Sequence, residues 1–229
     1  MNYPSEWLQS HAIGEKIACE VRLRIITGEI PKETILSENK LASEFSASRS
    51  PVRDALHVLA NEGLIRLERM GAVVLGFNKK DLEELYDVRM LIESFILKQL
   101  CRLDQEKLVT ELTKITDKMV MAMNHHNAVE FSYYDLHFHQ LMIETAGHTR
   151  ILRLWLNIRP IILTALLVAT VNRFKDHFNE INNLIDSHYF IIKAIQSNSE
   201  AMLDKAIHHH FEDTRATVFT SLLQEDNNK

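Results

Sequence analysis

Apolar residues in this 229-residue chain recur almost throughout at helical spacing, and only one short region falls into the two-residue alternation of strands. Ile17, Ala18, Val21 and Ile25 form a stripe over residues 14–27 that Gly28 and Pro31 close. Ser37 then stands as the cap of a helix whose apolar side is Leu41, Ala42 and Phe45. After the polar turn 46–48, Ser50 and Pro51 read as N-cap and first residue of a second helix, where a missing amide proton costs nothing. Val52, Ala55, Leu56 and Leu59 define its core face and leave Arg53 and His57 outside. Asn61, Glu62 and Gly63 stop it. Residues 64–69 alternate, Met70 and Gly71 turn, and residues 72–75 supply a second β-rich run, so the pair predicts a hairpin wing.

From residue 81 onward the pattern is helical, with helices expected over 81–101, 105–125, 128–146, 150–172, 174–197 and 199–223. The fold class is therefore mainly α. A winged helix-turn-helix of three helices and a hairpin is expected over residues 1–77, beginning with an arm, residues 1–10, that Trp7 and Leu8 can anchor. Residues 78–80 read as a short polar linker, and residues 81–229 as an all-α helical bundle.

A helix-turn-helix with a wing places the N-terminal end of its second helix in the major groove of DNA. Arg49 and Arg53 lie at that end, and an arginine fork can bond two acceptors on guanine. The plainer reading is a helical hairpin with two solvated arginines. Bulk charge gives no help. The net charge is −5, with 9 basic against 10 acidic residues up to Gly76 and 17 against 21 beyond it. The DNA reading rests on local pattern. Cys19 and Cys101 stand apart without a CxxC spacing, as in a reducing cytosol. No basic-then-apolar leader opens the chain, and the apolar run 160–171 between Arg159 and Arg173 is too short to span a bilayer. A cytoplasmic protein without a membrane segment is expected.

Twelve histidines sharpen the picture of the bundle. Asp135 and His139 are four apart and share a helix face with Met142 and Ala146, whereas His137 points away. His188 heads an apolar run, and His210 shares an inward stripe with Met202 and Ala206, leaving His208 outside and His209 at the margin. One carboxylate and three imidazoles from three helices could hold Zn²⁺, Ni²⁺ or Mn²⁺ with positions open for a ligand. They could equally be buried histidines with hydrogen-bond partners. Arg89 lies on an apolar stripe with Leu82, Leu85, Ile92 and Ile96, so its charge needs a partner. That partner is either Glu93, four residues on, or a ligand carboxylate.

The segments LSENKLASEF, SRSPVRDAL and LANEGLIRLERMGAVV closely resemble the winged helix of the GntR family of bacterial repressors. The resemblance implies DNA contacts from Ser48, Arg49, Ser50, Arg53 and the wing tip, Arg69, Met70 and Gly71. It also implies one from Asn39, where relatives often carry an arginine. The helical half resembles the FCD-type effector domain of the FadR subgroup. Asp135, His139, His188 and His210 match its divalent metal positions, and Arg89-x-x-x-Glu93 matches its opening motif. His148 departs from the family's usual asparagine. Tyr3-Pro4, Trp7-Leu8, LSEN at 36–39, SRSP at 48–51 and RLERMGAVV at 66–74 are similar to the gluconate operon repressor branch.

These likenesses imply a homodimeric repressor that reads a palindromic operator in double-stranded DNA. A small organic acid, gluconate or a related sugar acid, would release it by binding at the metal and Arg89. Other expectations are a regulator of the same fold that answers another carboxylate or the metal itself. A metal-dependent hydrolase is the remaining one. Against the hydrolase, no general base sits beside the cluster in sequence, and an operator reader has no role in such an enzyme.

Overall fold

A computed structural model describes residues 1–8, 12–69, 71–101 and 105–222, with only the backbone described at 213 and 216–222. The chain divides into two compact units, Met1–Asn78 and Lys79–Lys229.

In the first unit α1 (Ile13–Ile26), α2 (Glu38–Glu44) and α3 (Arg49–Asn61) surround a core that includes Ile17, Val21, Leu41, Val52, Leu56 and Leu59. A 3-10 turn, Ser5–Trp7, precedes them, and Trp7 is buried with its ring edge against Tyr3. The sheet has three strands, one more than the alternation predicts. They are β1 (Ile35–Leu36), β2 (Ile65–Glu68) and β3 (Gly71–Val74), in the order β1-β3-β2 and antiparallel throughout. A two-residue strand leaves no period to detect. Its partner strand explains Gly71: at φ 138° a Cβ there would lie 2.5 Å from the Leu36 carbonyl oxygen, so no side chain fits. Met70, expected at the wing tip, lies outside the described residues.

Two boundaries differ from expectation. α3 is capped at Ser48 and begins at Arg49, so Pro51 is its third residue rather than its first. Every amide of a first turn lacks an intrahelical acceptor, so proline is as well tolerated there. The expected linker 78–80 shrinks as well, because Lys79 and Lys80 already belong to the first turn of α4 and pair with Glu83 and Glu84 four residues on.

The second unit holds α4 (Lys79–Leu100), α5 (Glu106–Asn124), α6 (Ala128–Thr145), α7 (Thr149–Asp176), α8 (Ile181–Gln196) and α9 (Glu200–Leu222). α6 packs on α4, α5 and α7, while α9 packs on α4, α7 and α8, which leaves α6 and α9 facing the bundle interior. α7 runs past the expected break at residues 172–174. Nothing there stops a helix, and Phe174 is wanted inside, where it meets Phe131 and Phe178. The chain turns instead at His177 and the 3-10 segment Phe178–Glu180. The apolar run 160–171 thus belongs to a 28-residue helix that by length and composition could cross a membrane. Burial answers that point where length does not: 61% of its most apolar stretch is inside the unit. His148, the departure from asparagine, caps this helix through Nδ1, which accepts from the Ile151 amide at 3.3 Å.

A buried ion pair ties α1 to the end of α3. Arg22 donates from Nε and Nη2 to the two Glu62 carboxylate oxygens at 2.7 and 2.6 Å, and the side chains are only 2% and 6% exposed. Burial would weaken Arg22's hold on its proton, and Glu62 more than restores it. Replacing Glu62 with alanine should cost about 3–5 kcal/mol, because it leaves a buried charge unpaired. The loss should appear as reduced hydrogen-exchange protection of α1 and α3. An Arg22→Met, Glu62→Leu double variant should recover most of it.

Candidate functional site

Two groups of side chains carry chemistry, one in each unit. On the first, the exposed side of α3 presents Arg49, Ser50 and Arg53, with Ser48 exposed at the cap. The opposite side, Val52, Ala55, Leu56 and Leu59, is buried, so the burial pattern itself turns the arginines outward. Asn39 is exposed on α2 and Arg69 at the end of β2. Gly71 is half-buried, and its close approach to Leu36 gives it a structural reason to be glycine. Arg53 donates to Glu38 from α2, a contact between residues fifteen apart that periodicity could not reveal.

In the second unit α6, α8 and α9 bring together Asp135, His139, His188 and His210, all buried. One nitrogen from each imidazole lies within 4.8 Å of one from each of the others. Asp135 Oδ1 is 2.9 Å from His188 Nε2 and 3.9 Å from His139 Nε2. His137, His208 and His209 are not part of the cluster: His137 stacks on Tyr133, and the other two are exposed.

The hydrogen bonds fix the tautomers. His188 Nδ1 is 2.7 Å from the Leu184 carbonyl, which can only accept, so Nδ1 carries the proton. Ser187 spends its single proton on the same carbonyl at 2.7 Å, so it must accept from His210 Nδ1 at 2.8 Å. His139 Nδ1 stands 2.6 Å from Glu93 Oε2, close in distance though outside hydrogen-bond alignment. A carboxylate there favours the proton on Nδ1. All three Nε2 lone pairs are thereby left for something else. The Asp135 oxygen and His188 Nε2, 2.9 Å apart, have no hydrogen bond to share unless the ring takes a second proton. Two acceptors facing each other at that distance call for a proton on the ring or another cation shared between them. A divalent ion bound by three imidazoles and a carboxylate, each ring steadied through its other nitrogen, satisfies that need.

The electrostatics agree. Burial would raise the Glu93 carboxyl, but His139 and Arg89 hold it below the ordinary range. Burial acts likewise on Asp135, and His188, His139 and Arg89 outweigh it. His210 is pushed well below the usual imidazole range, first by burial and then by the neighbouring His188, His139 and Arg89, so it is uncharged and able to ligate. Arg89 donates from Nε to Glu93 Oε1 at 3.0 Å and lies over the rings of Tyr86 and Phe211 at 5.4 and 5.2 Å. Its Nη2 and the Tyr86 hydroxyl are buried without a hydrogen-bond partner. Glu93 and Ser187 were not apparent as parts of this site. Glu93 reads in sequence as Arg89's partner alone, and the only signal for Ser187 is its place just before His188.

An exposed arginine-bearing helix with a wing, joined to a helical unit built around buried polar groups, defines a two-domain transcription regulator rather than an enzyme. Residues 13–75 match the model for bacterial regulatory proteins of the gntR family, and residues 84–213 match the FCD domain. The chain belongs to the GntR family, with an FCD domain as its second half. It is 42% identical over 94% of its length to the gluconate operon transcriptional repressor of Bacillus licheniformis, covering 89% of that protein. To the repressor of the same name from Bacillus subtilis it is 41% identical over the same shares. Escherichia coli McbR/YncC shares the fold at a TM-score of 0.70 and 13% identity, over 92% of this chain and 99% of that one. A GntR regulator from Rhodococcus shares it at 0.64 and 21% identity, over 91% and 98%.

Uncharged burial of His210 has a sign. Its folded pKa lies below the unfolded 6.5, so its contribution to stability is complete above that pH and is lost as pH falls toward the folded value. Asp135 and Glu93, also lowered, act in the same sense below about pH 4. The metal-free chain should lose stability below about pH 6.5, by at most about 1.4 kcal/mol per pH unit for this one group. Thermal melts across pH 8 to 5 in a chelator would show the onset, and His210→Gln should remove its first part.

Proposed function

We propose that this chain is a homodimeric transcriptional repressor. It reads a palindromic operator in double-stranded DNA, and a sugar acid, gluconate or a close relative, releases it by binding beside a divalent metal. The observation that carries this reading is the buried cluster of three imidazoles, one nitrogen of each within 4.8 Å of the others, beside the Asp135 carboxylate, with Arg89 Nη2 buried and unbonded in the same bundle. Together they offer what a hydroxylated carboxylate needs: a cation to chelate and a guanidinium to grip. The relatives named for gluconate operon repression point to the same ligand.

Asp135, His139, His188 and His210 would hold the ion, with Zn²⁺, Ni²⁺ and Mn²⁺ all compatible with that donor set. The bound ion would supply open positions for the acid. Glu93 faces Nδ1 of His139 and would favour its ligating tautomer, Leu184 and Ser187 hydrogen-bond the Nδ1 atoms of His188 and His210, and burial keeps competing water out. Two-fold pairing has a surface to use. Val88, Leu91 and Phe95 form an exposed apolar stripe on α4, with Leu91 73% exposed, and Leu154 and Leu156 are exposed on α7. A dimer would set two recognition helices for successive major grooves, and the acid would act by preferring a dimer geometry that fits the operator less well. Such a protein works in the cytoplasm, on the chromosome.

The reading is tested by adding gluconate to a complex of the metal-loaded protein and DNA from upstream of its own gene. Release at sub-millimolar concentration supports it. Release by metal alone, or only by other carboxylates, would shift the effector and keep the repressor. Arg49→Ala should weaken operator binding by about 1–3 kcal/mol per half-site without changing the melting temperature. Unchanged sequence-specific binding would remove α3 from the interface. In calorimetric titrations His139→Ala should lower metal affinity at least 10- to 100-fold and blunt release, whereas His208→Ala should leave both intact. Equal damage from the two would place the site elsewhere.

A further inference from the structure

We propose that Glu38 is a positioning residue for Arg53, and through it sets the base choice at one base pair of each half-site. The inference rests on the DNA-reading role of α3 proposed above. Arg53 is 58% exposed and Glu38 30%, yet the arginine is not loose: its Nε donates to both Glu38 carboxylate oxygens, at 3.0 and 2.9 Å. Only Nε is engaged. The outward edge of the guanidinium, Nη1 and Nη2, is left with both prongs unspent among the described hydrogen bonds. That edge matches the O6 and N7 acceptors of guanine.

The arrangement answers a specific difficulty. An arginine side chain has four rotatable torsions, and ordering them on DNA lowers the yield of any contact it makes. A carboxylate that already holds Nε leaves the fork aimed before DNA arrives. Glu38 itself is well seated. It is the first residue of α2, where a negative charge suits the helix N-terminus. Arg49, one turn earlier on α3, is exposed and has no such partner among the described residues. The two arginines are therefore not equivalent: Arg49 can follow a phosphate or a base, whereas Arg53 is held for one target.

A carboxylate this close to the DNA face works against general affinity, because it repels phosphate and offsets one favourable charge. Beyond the fit of its charge to the start of α2, a carboxylate there acts as a device for discrimination. The two contributions are separable, because removing Glu38 should move them in opposite directions. An exposed ion pair of this kind adds little to stability, so the variant should fold.

The test uses the full-length protein and fluorescence anisotropy with three kinds of duplex. These are the footprinted operator, operators with each base pair replaced symmetrically in both half-sites, and a scrambled duplex of equal composition. Glu38→Ala should bind the scrambled duplex as tightly as the native protein, or several-fold tighter. At one guanine-containing position its discrimination should fall by roughly 5- to 150-fold, the range of a single arginine–guanine pair. Arg53→Ala should lose discrimination at that same position, and Glu38→Gln, which keeps an acceptor oxygen, should retain part of it. Native discrimination at every position in Glu38→Ala, or an even loss at all of them, would overturn the proposal while leaving α3 as the reader. Failure of the native protein to prefer its operator to the scrambled duplex would instead remove the DNA-reading role, and this inference with it.

Discussion

The helical unit depends on a single carboxylate shared between two partners. Glu93 is fully buried and would be costly to keep ionised, yet it accepts from Arg89 with one oxygen and faces His139 with the other. Without it, a guanidinium over two aromatic rings would lie in the core without a hydrogen-bonded counter-charge, and the His139 ring would lose the carboxylate that faces its Nδ1. The order of residues along α4 makes the sharing possible. Arg89 and Glu93 are one turn apart on the inward face, and α4 packs directly on α6, which carries His139.

A second device of the same kind works from α8. The Leu184 carbonyl lies one turn before His188, and it accepts from both the imidazole and the neighbouring Ser187 hydroxyl. One oxygen thereby fixes the proton positions of two rings, because the serine, its proton spent, must accept from His210. The cluster is preorganised by the backbone of a single helix turn, which is more rigid than a second layer of side chains. The apolar packing of α8 behind it, through Leu184, Ile185, Ile191 and Ile192, holds that turn in place.

Much of this was legible in the residues alone, for identifiable reasons. The stripe positions of Asp135, His139, His188 and His210 follow from helix geometry, which also separates His210 from His208 and His209. The wing showed in the alternation of residues 64–69. What escaped the sequence was short or distant. β1 is two residues long, and its existence depends on β3 reaching back to it. Glu38 and Arg53 meet across two helices. α3 starts two residues before the position that a serine ahead of proline signals, with Ser48 in the N-cap position without a side-chain hydrogen bond. The end of α7 was misplaced because its apolar run fades before the helix does, and neither glycine nor proline marks the stop.

The pairing of β1 with β3 has a consequence for how the reader can be re-engineered. β1 ends at Leu36, one residue before the Ser37 cap of α2, and Glu38 on that helix holds Arg53 on α3. The wing strand, the strand beside it, the cap and the two helices thus form a closed mechanical loop, with Gly71 as its tightest joint. Moving any part strains the next. The transplantable unit is therefore the whole first unit, α1 included, because Arg22 on α1 is paired with Glu62 at the end of α3. A recognition helix grafted alone into another scaffold would bring its letters but not the frame that aligns them.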